Sequence, residues 1–132
     1  MAVFVVDTDV VSFVFKEDTR AQHHSAHLEN NSCIISFMTL AELDRWAIAH
    51  RWGDVRKSRM VHWLRRFGVE YPNRELCQIW AEVTEGARRN GRSIASSDAW
   101  IAAVAILMDV PLLTHNAADF RGVQGLVVVT ER

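Results

Sequence analysis

Val3-Phe4-Val5-Val6-Asp7-Thr8-Asp9 is a short β-branched apolar run that stops abruptly at acid. Its apolar residues are unbroken, not alternating, so both faces of the segment must be buried, as in a strand of a parallel sheet. Similar runs recur at Cys33–Ile35, Val69–Tyr71, Leu112–Thr114 and Val127–Val129. Helical patterns lie between them. Leu76, Ile79, Trp80, Val83 and Ala87 recur at helical spacing, and Asn90-Gly91 supplies a stop. Met60, Trp63, Leu64 and Phe67 form a second stripe, with Arg56, Lys57, Arg59, Arg65 and Arg66 largely off it. Thr39–His50 reads as another helix. Ala99–Met108 is apolar nearly all round and reads as a central helix buried by its neighbours. Strands alternating with helices predict an α/β fold with a mostly parallel sheet.

The 132 residues amount to one domain, expected to span 1–132. Hydrophobic residues at 49% and charged residues at 23% exclude a disordered chain and a membrane-spanning one. The opening apolar run is too short for a signal peptide, and no stretch nears the roughly 20 apolar residues that span a bilayer. Cys33 and Cys77 lack metal-site spacing. Two thiols without a signal peptide predict a reducing, cytoplasmic location.

The net charge of −1 argues against a nucleic-acid binder of the simple basic kind. The distribution is polarised, however. Between Asp44 and Arg66, seven basic residues face only Asp44 and Asp54, and the remainder of the chain is acidic. Such polarity steers a charged partner.

In parallel α/β sheets, ligands bind beyond the carboxyl ends of the strands. Asp7 and Asp9 follow the first run directly, and Glu42 lies near the start of the helix after the second. Asp98 opens the buried helix, and Thr114, Asn116 and Asp119 follow the fourth run. Singly, each acid has an ordinary use: Asp7 or Asp98 at a helix start, Glu42 on a solvated face, Asp119 in a turn. Together they bring four carboxylates from four segments to one edge. Like charges at close range raise each other's pKa, and a divalent cation relieves that cost. Hard oxygen ligands suit Mg²⁺ or Mn²⁺, which activate water and stabilise phosphoryl transition states. Thr114 and Asn116 supply neutral hydrogen bonds that orient ligands or water.

Four segments carry a family resemblance. Val-Val-Asp7-Thr8-Asp9, Ser36-Phe-Met-Thr39-Leu-Ala-Glu42-Leu, Asp98-Ala-Trp-Ile101-Ala-Ala and Thr114-His-Asn116-Ala-Ala-Asp119-Phe occur in that order. In this the chain resembles the PIN-domain ribonucleases, specifically the VapC-type toxins of prokaryotic toxin–antitoxin pairs, over essentially its whole length. The resemblance implies a three-layer fold, a central parallel sheet of about five strands with helices on both faces. It implies a Mg²⁺- or Mn²⁺-dependent endoribonuclease that leaves 3′-hydroxyl and 5′-phosphate ends. Asp7, Glu42, Asp98 and Asp119 are then the catalytic set, with Thr8, Thr114 and Asn116 in support. Asp7, Asp98 and Asp119 bind metal directly or through water, and Glu42 orients or deprotonates the attacking water. An RNA substrate, a cognate antitoxin and a homodimer are the expected partners, with no membrane. The family usually has Asn where this chain has Asp9, and Asp9 is expected to cap the following helix.

Further features remain beside that set. Arg56, Lys57 and Arg59 are candidate contacts to RNA phosphates or else a solvated helix face. His23, His24 and His27 read as a surface cluster, and His115 as a neighbour of the site with an indirect role. Trp80 and Trp100 read as core. Trp46, Trp52 and Trp63 lie in the basic region, where core packing competes with an antitoxin groove, a dimer surface or a stacking platform for RNA. Two rival readings stand. Asp7-Thr8-Asp9-Val10-Val11 fits the opening of a haloacid-dehalogenase-like phosphatase, but Lys16 and Lys57 are the only lysines and no late acidic pair follows. The second rival is an inactive nuclease fold that binds RNA or protein.

Overall fold

The run at Val3–Val6 forms strand β1, and the chain turns at Asp7 straight into helix α1 (Thr8–Phe15). A 3₁₀ turn (Thr19–His23) and a short helix α2 (Ser25–Glu29) lead to β2 (Ser32–Ser36). Helices α3 (Phe37–Ala49) and α4 (Asp54–Leu64) precede β3 (Gly68–Glu70). Helices α5 (Arg74–Arg89) and α6 (Ser96–Met108) precede β4 (Leu112–Leu113). A second 3₁₀ turn (Ala117–Phe120) leads to β5 (Val128–Val129). This computed structural model describes residues 2–130, so Met1, Glu131 and Arg132 of the expected 1–132 domain lie outside the described residues.

The sheet has five strands in the order β3-β2-β1-β4-β5. Every neighbouring pair is parallel, as the unbroken apolar runs require. The chain adds strands on one side of β1, then crosses back and adds β4 and β5 on the other. The direction reverses between β1 and β4, where Val5 pairs with Leu112 and Val6 with Leu113. A crevice beyond the carboxyl ends opens at such a switch point. The predicted strands at Leu112–Thr114 and Val127–Val129 are assigned one residue shorter, yet the ladder continues: the Thr114 N–H donates to the Val129 carbonyl at 3.0 Å.

Successive residues of β1 face opposite layers. Phe4 and Val6 join Val10, Ile35, Leu43, Trp52, Met60 and Phe67 on one side. Val5 joins Leu76, Val83, Leu112 and the buried face of α6 on the other. Ala99, Ala102, Ala103 and Ala105 keep α6 slim enough to press against both the sheet and α5. The helix ends at Asp109 in a left-handed conformation (φ 54°), with its N–H closing onto the Ala105 and Ile106 carbonyls.

His24 is 0% exposed, so the three histidines are not a surface cluster. Its Nε2 lies 3.1 Å from His115 Nδ1, and the two rings meet edge to face. His27 packs edge-on against Phe4, leaving His23 exposed. The reason is local: α2 folds back under the turn after β4 and carries His24 inward. Trp80 and Trp100 stack with centroids 5.1 Å apart, half-buried against the second layer. Trp52 lies in the first layer at 8% exposure.

The turn that carries Asp119 is fixed by close backbone contact. A Cβ at Gly122 would sit 2.4 Å from the Arg92 carbonyl oxygen and 3.1 Å from Ala87 Cβ. Asn90 Nδ2 also donates to the Gly122 carbonyl at 3.1 Å. Gly86, inside α5, has nothing within 4 Å of its Cβ position. Urea denaturation should therefore give opposite signs. Gly122→Ala costs about 1–3 kcal/mol from overpacking, whereas Gly86→Ala adds about 0.5–1 kcal/mol from helix propensity.

Candidate active site

Asp7 is the N-cap of α1, because the chain leaves β1 in an extended conformation (φ −68°, ψ 152°) and aims the side chain back at the first turn. Its Oδ1 accepts from the Thr8 N–H at 2.7 Å. Its Oδ2 accepts from the Thr114 hydroxyl at 2.7 Å, a bond that spans the switch point from β1 to β4. Asp7 is only 6% exposed. Burial pushes its carboxyl well above the ordinary range, and the charge of Asp9 adds to that; the Thr114 and Thr8 bonds pull the other way.

Glu42 reaches the same place from α3. Ser36 caps that helix, its Oγ accepting from the Met38 N–H at 3.0 Å. One turn on, Thr39 Oγ1 lies 2.9 Å from Thr8 Oγ1. Another turn on, Glu42 Oε1 accepts from the Thr8 hydroxyl at 2.8 Å. The Thr8 proton goes to Glu42, so Thr39 supplies the proton between the two hydroxyls. The Ser-x-x-Thr-x-x-Glu spacing is thus one helix face that caps, braces and presents a carboxylate.

Asp98 lies in the first turn of α6, where the helix dipole favours an anion. Burial nonetheless raises its carboxyl from 3.8 to about 6, with the charges of Asp119, Glu42 and Asp9 contributing. Asp119 is exposed on the 3₁₀ turn, which Phe120 anchors in the core at 2% exposure. Asn116 begins that turn, and its N–H donates to Thr114 Oγ1 at 3.1 Å.

Asp9 is not the cap that the sequence led us to expect. Asp7 holds that position, and Asp9 sits in the first turn of α1. Its Oδ1 accepts from the Val10 N–H at 2.6 Å and its Oδ2 from the His115 N–H at 3.2 Å. It therefore ties α1 to the turn after β4. Burial raises its carboxyl, although these N–H bonds oppose the rise.

Asp7, Thr8, Asp9, Glu42, Asp98, Asn116 and Asp119 all line one open cavity of about 530 Å³. Thr114 is fully buried behind its wall. Ser12, Arg45 and Trp46 also line the cavity and were not singled out for it from the sequence. Their signal was faint: Ser12 lies one turn after Thr8, and Arg45 one turn after Glu42. Arg56, Lys57 and Arg59 are on α4 and not on this wall. Arg59 lines a larger hollow of about 700 Å³ between α1 and α4, in which Glu17 and Asp54 are the only acids among the described residues. Chemistry, not size, places the candidate site in the smaller cavity.

The donors suit a hard cation: carboxylate oxygens, with neutral hydroxyl and amide groups beside them. Among the described residues, no three His, Cys, Asp or Glu side chains stand close enough to hold an ion by themselves. The carboxylates are spread along the wall, and hydrogen bonds from Thr8, Thr114 and His115 hold Glu42, Asp7 and Asp9 in place. That spread fits a cation that keeps water and takes further ligands from a phosphate, and does not fit one caged by protein alone.

The PIN domain family model matches residues 4–126. Ribonuclease VapC1 of Haemophilus influenzae is 28% identical over 94% of this chain and 94% of its own length. Ribonuclease VapC2 of Rickettsia felis is 21% identical over 96% of each chain. Among solved structures, VapBC2 from Rickettsia felis, bound to a DNA fragment from its promoter, superposes with a TM-score of 0.84 at 19% identity, covering 97% of this chain and 98% of that one. VapBC-1 from nontypeable Haemophilus influenzae gives a TM-score of 0.81 at 26% identity over 97% of each. The family match runs from β1 through the turn before β5 and takes in every acid on the cavity wall, so the chain belongs to the PIN domain family.

Proposed function

We propose that the chain is a metal-dependent endoribonuclease and the toxin of a toxin–antitoxin pair. One observation carries this reading: Asp7, Glu42, Asp98 and Asp119 come from four segments and line one cavity at the carboxyl edge of the sheet. The names of its relatives support the reaction, since those proteins are called ribonucleases. The VapBC structures it resembles support a cognate antitoxin as partner. A homodimer and a cytoplasmic location complete the proposal, with residues 1–132 acting as one nuclease domain. No helix among the described residues is long and apolar enough to cross a membrane. The phosphatase rival loses its support here, because neither Lys16 nor Lys57 lines the cavity.

Asp7, Asp98 and Asp119 would hold Mg²⁺ or Mn²⁺, in part through water. Such an ion, when bound, offsets the charge of the phosphate and of the carboxylates and lowers the pKa of water. The chain's own groups do the rest. Glu42 is oriented through Oε1 by the Thr8 hydroxyl, and its other oxygen takes a proton from the attacking water. Thr114 fixes Asp7 Oδ2, so that the buried carboxylate cannot rotate away. The Asn116 amide on the wall donates to a phosphate oxygen. Water adds to phosphorus, the bond to the 3′-oxygen breaks, and that oxygen takes a proton. The products end in 3′-hydroxyl and 5′-phosphate.

The test is cleavage of a structured RNA by purified protein, with Mg²⁺ or with Mn²⁺. Asp98→Asn should lower the rate by roughly a thousandfold or more, the several kcal/mol that a metal centre supplies. Full activity in this variant would overturn the assignment. The same substitution carries a stability signature. In the metal-free fold Asp98 holds its proton up to about pH 6, against 3.8 ordinarily. The folded state therefore loses stability as pH rises through that window, and the penalty is complete above it. In metal-free buffer, Asp98→Asn should raise the melting temperature by several degrees at about pH 8. The gain should vanish as pH falls towards 4.

Glu42→Gln separates proton transfer from metal binding. Its kcat should fall about 10²–10⁴-fold. Its thermal stabilisation by Mg²⁺ should persist, at about 2.7 kcal/mol when the ion is at a hundred times Kd. Loss of that stabilisation would make Glu42 a ligand. As a toxin, the induced wild-type chain should arrest growth of a bacterial host, and Glu42→Ala should relieve the arrest. Harmless accumulation of the wild type would count against the toxin role.

A further inference from the structure

The cavity wall is acidic, yet its substrate would be a polyanion. Arg45 is the one cation among the described residues that line it. Beside it, Trp46 also lines the cavity, and the Lys16 ammonium lies 3.4 Å over the Trp46 ring centroid. Trp46 packs against Trp52 with centroids 5.6 Å apart, and the Arg56 guanidinium lies 4.1 Å over Trp52. Two cations, Lys16 at the C-cap of α1 and Arg56 on α4, thus lie over a contiguous pair of indoles, one of which lines the cavity beside Arg45 on α3.

These cations are not spent on the fold's own acids. Among the described residues, none of Lys16, Arg45 and Arg56 is in an ion pair. Asp18, an acid whose charge reaches Lys16, is taken by Arg20, which donates to both of its oxygens at 3.0 and 2.8 Å. Burial, with the positive charge of Arg56 next, pulls the Lys16 amine below its ordinary value. Cations gathered in this way, without carboxylate partners, attract an external anion.

The indoles are not free to take bases. Trp52 is 8% exposed and already carries Phe15, stacked at 26°, together with Arg56. Their role is to hold the two cations over their faces. This favours the strand's phosphates over its bases as the ligand.

We propose that Lys16, Arg45 and Arg56 form a phosphate site that takes the RNA backbone beside the scissile bond, at the mouth of the acidic cavity. The proposal rests on the ribonuclease reading and deepens it. Of the basic residues expected to touch RNA, it keeps Arg56 and replaces Lys57 and Arg59 with Lys16 and Arg45.

The test uses full-length Asp98→Asn protein, so that RNA stays intact, and a fluorescein-labelled single-stranded RNA. Binding is measured by anisotropy across a range of salt concentrations. A triple Lys16→Gln/Arg45→Gln/Arg56→Gln change in that background keeps most of each aliphatic stem over the indoles. Each lost phosphate contact removes about 0.7 from the slope of log K against log salt for a single strand. The triple should flatten the slope by about 2 and weaken binding about tenfold. A charge-matched triple on α5, Arg74→Gln/Arg88→Gln/Arg89→Gln, should leave the slope unchanged. In the active protein, Arg45→Gln alone should raise KM and leave kcat within about twofold. An unchanged slope in the first triple, with RNA still bound and the wild type still cleaving, overturns the phosphate site and leaves the ribonuclease reading standing. Binding of a polyglutamate peptide in place of RNA at these residues overturns it as well. If the wild type neither binds nor cleaves RNA, both readings fall.

Discussion

The Thr114 hydroxyl donates to Asp7 Oδ2 across the point where the strand order reverses. Much of the structure depends on this bond. It joins the ends of β1 and β4, which pair only at Val5–Leu112 and Val6–Leu113. It also holds a carboxylate in a buried position that is in no ion pair among the described residues. A buried ion costs several kcal/mol unless it is compensated. Asp7 meets two neutral donors and two acidic neighbours, so burial and charge both favour its protonated form. An external cation reverses that preference, and the same cation would offset the charge of a phosphate. Structure and chemistry therefore share one requirement.

Much of this architecture was legible in the sequence because buried parallel strands and buried helices leave unbroken apolar runs. Val3–Val6 and Ala99–Met108 are the clearest cases. The acids at the strand ends were legible for the same reason: each interrupts or ends an apolar segment. What escaped depended on packing between segments distant in the chain. His24 resembled its exposed neighbour His23, and only the folding of α2 under the β4 turn buries it against His115. Asp9 and Asp7 are two residues apart, and sequence alone could not decide which caps α1. The hydrogen bond from the His115 N–H to Asp9 depends on a turn 106 residues away.

The near-zero net charge is the sum of two opposed surfaces. Carboxylates gather in the cavity, and cations gather on an indole pair of which Trp46 lines that cavity. Lys16 belongs to that second group although it lies far in sequence from the Arg-rich segment, so a window of sequence charge could not include it. Arg45 lies inside the segment, but only the direction of α3 turns it towards the acids. In the proposed phosphate site, a polyanion would meet these cations first despite the net negative charge of the chain.

Burial and mutual repulsion hold Asp7, Asp9 and Asp98 above the ordinary carboxylate range, and a divalent cation among them would lower them again. Carboxyl ¹³C NMR titration of the wild-type protein measures this directly. In Mg²⁺-free buffer, the Asp98 carboxyl should titrate at about 6, and adding Mg²⁺ should move the midpoint down towards the ordinary carboxylate range. A midpoint near the ordinary value of 3.8 without Mg²⁺, unmoved when the ion is added, would contradict the account.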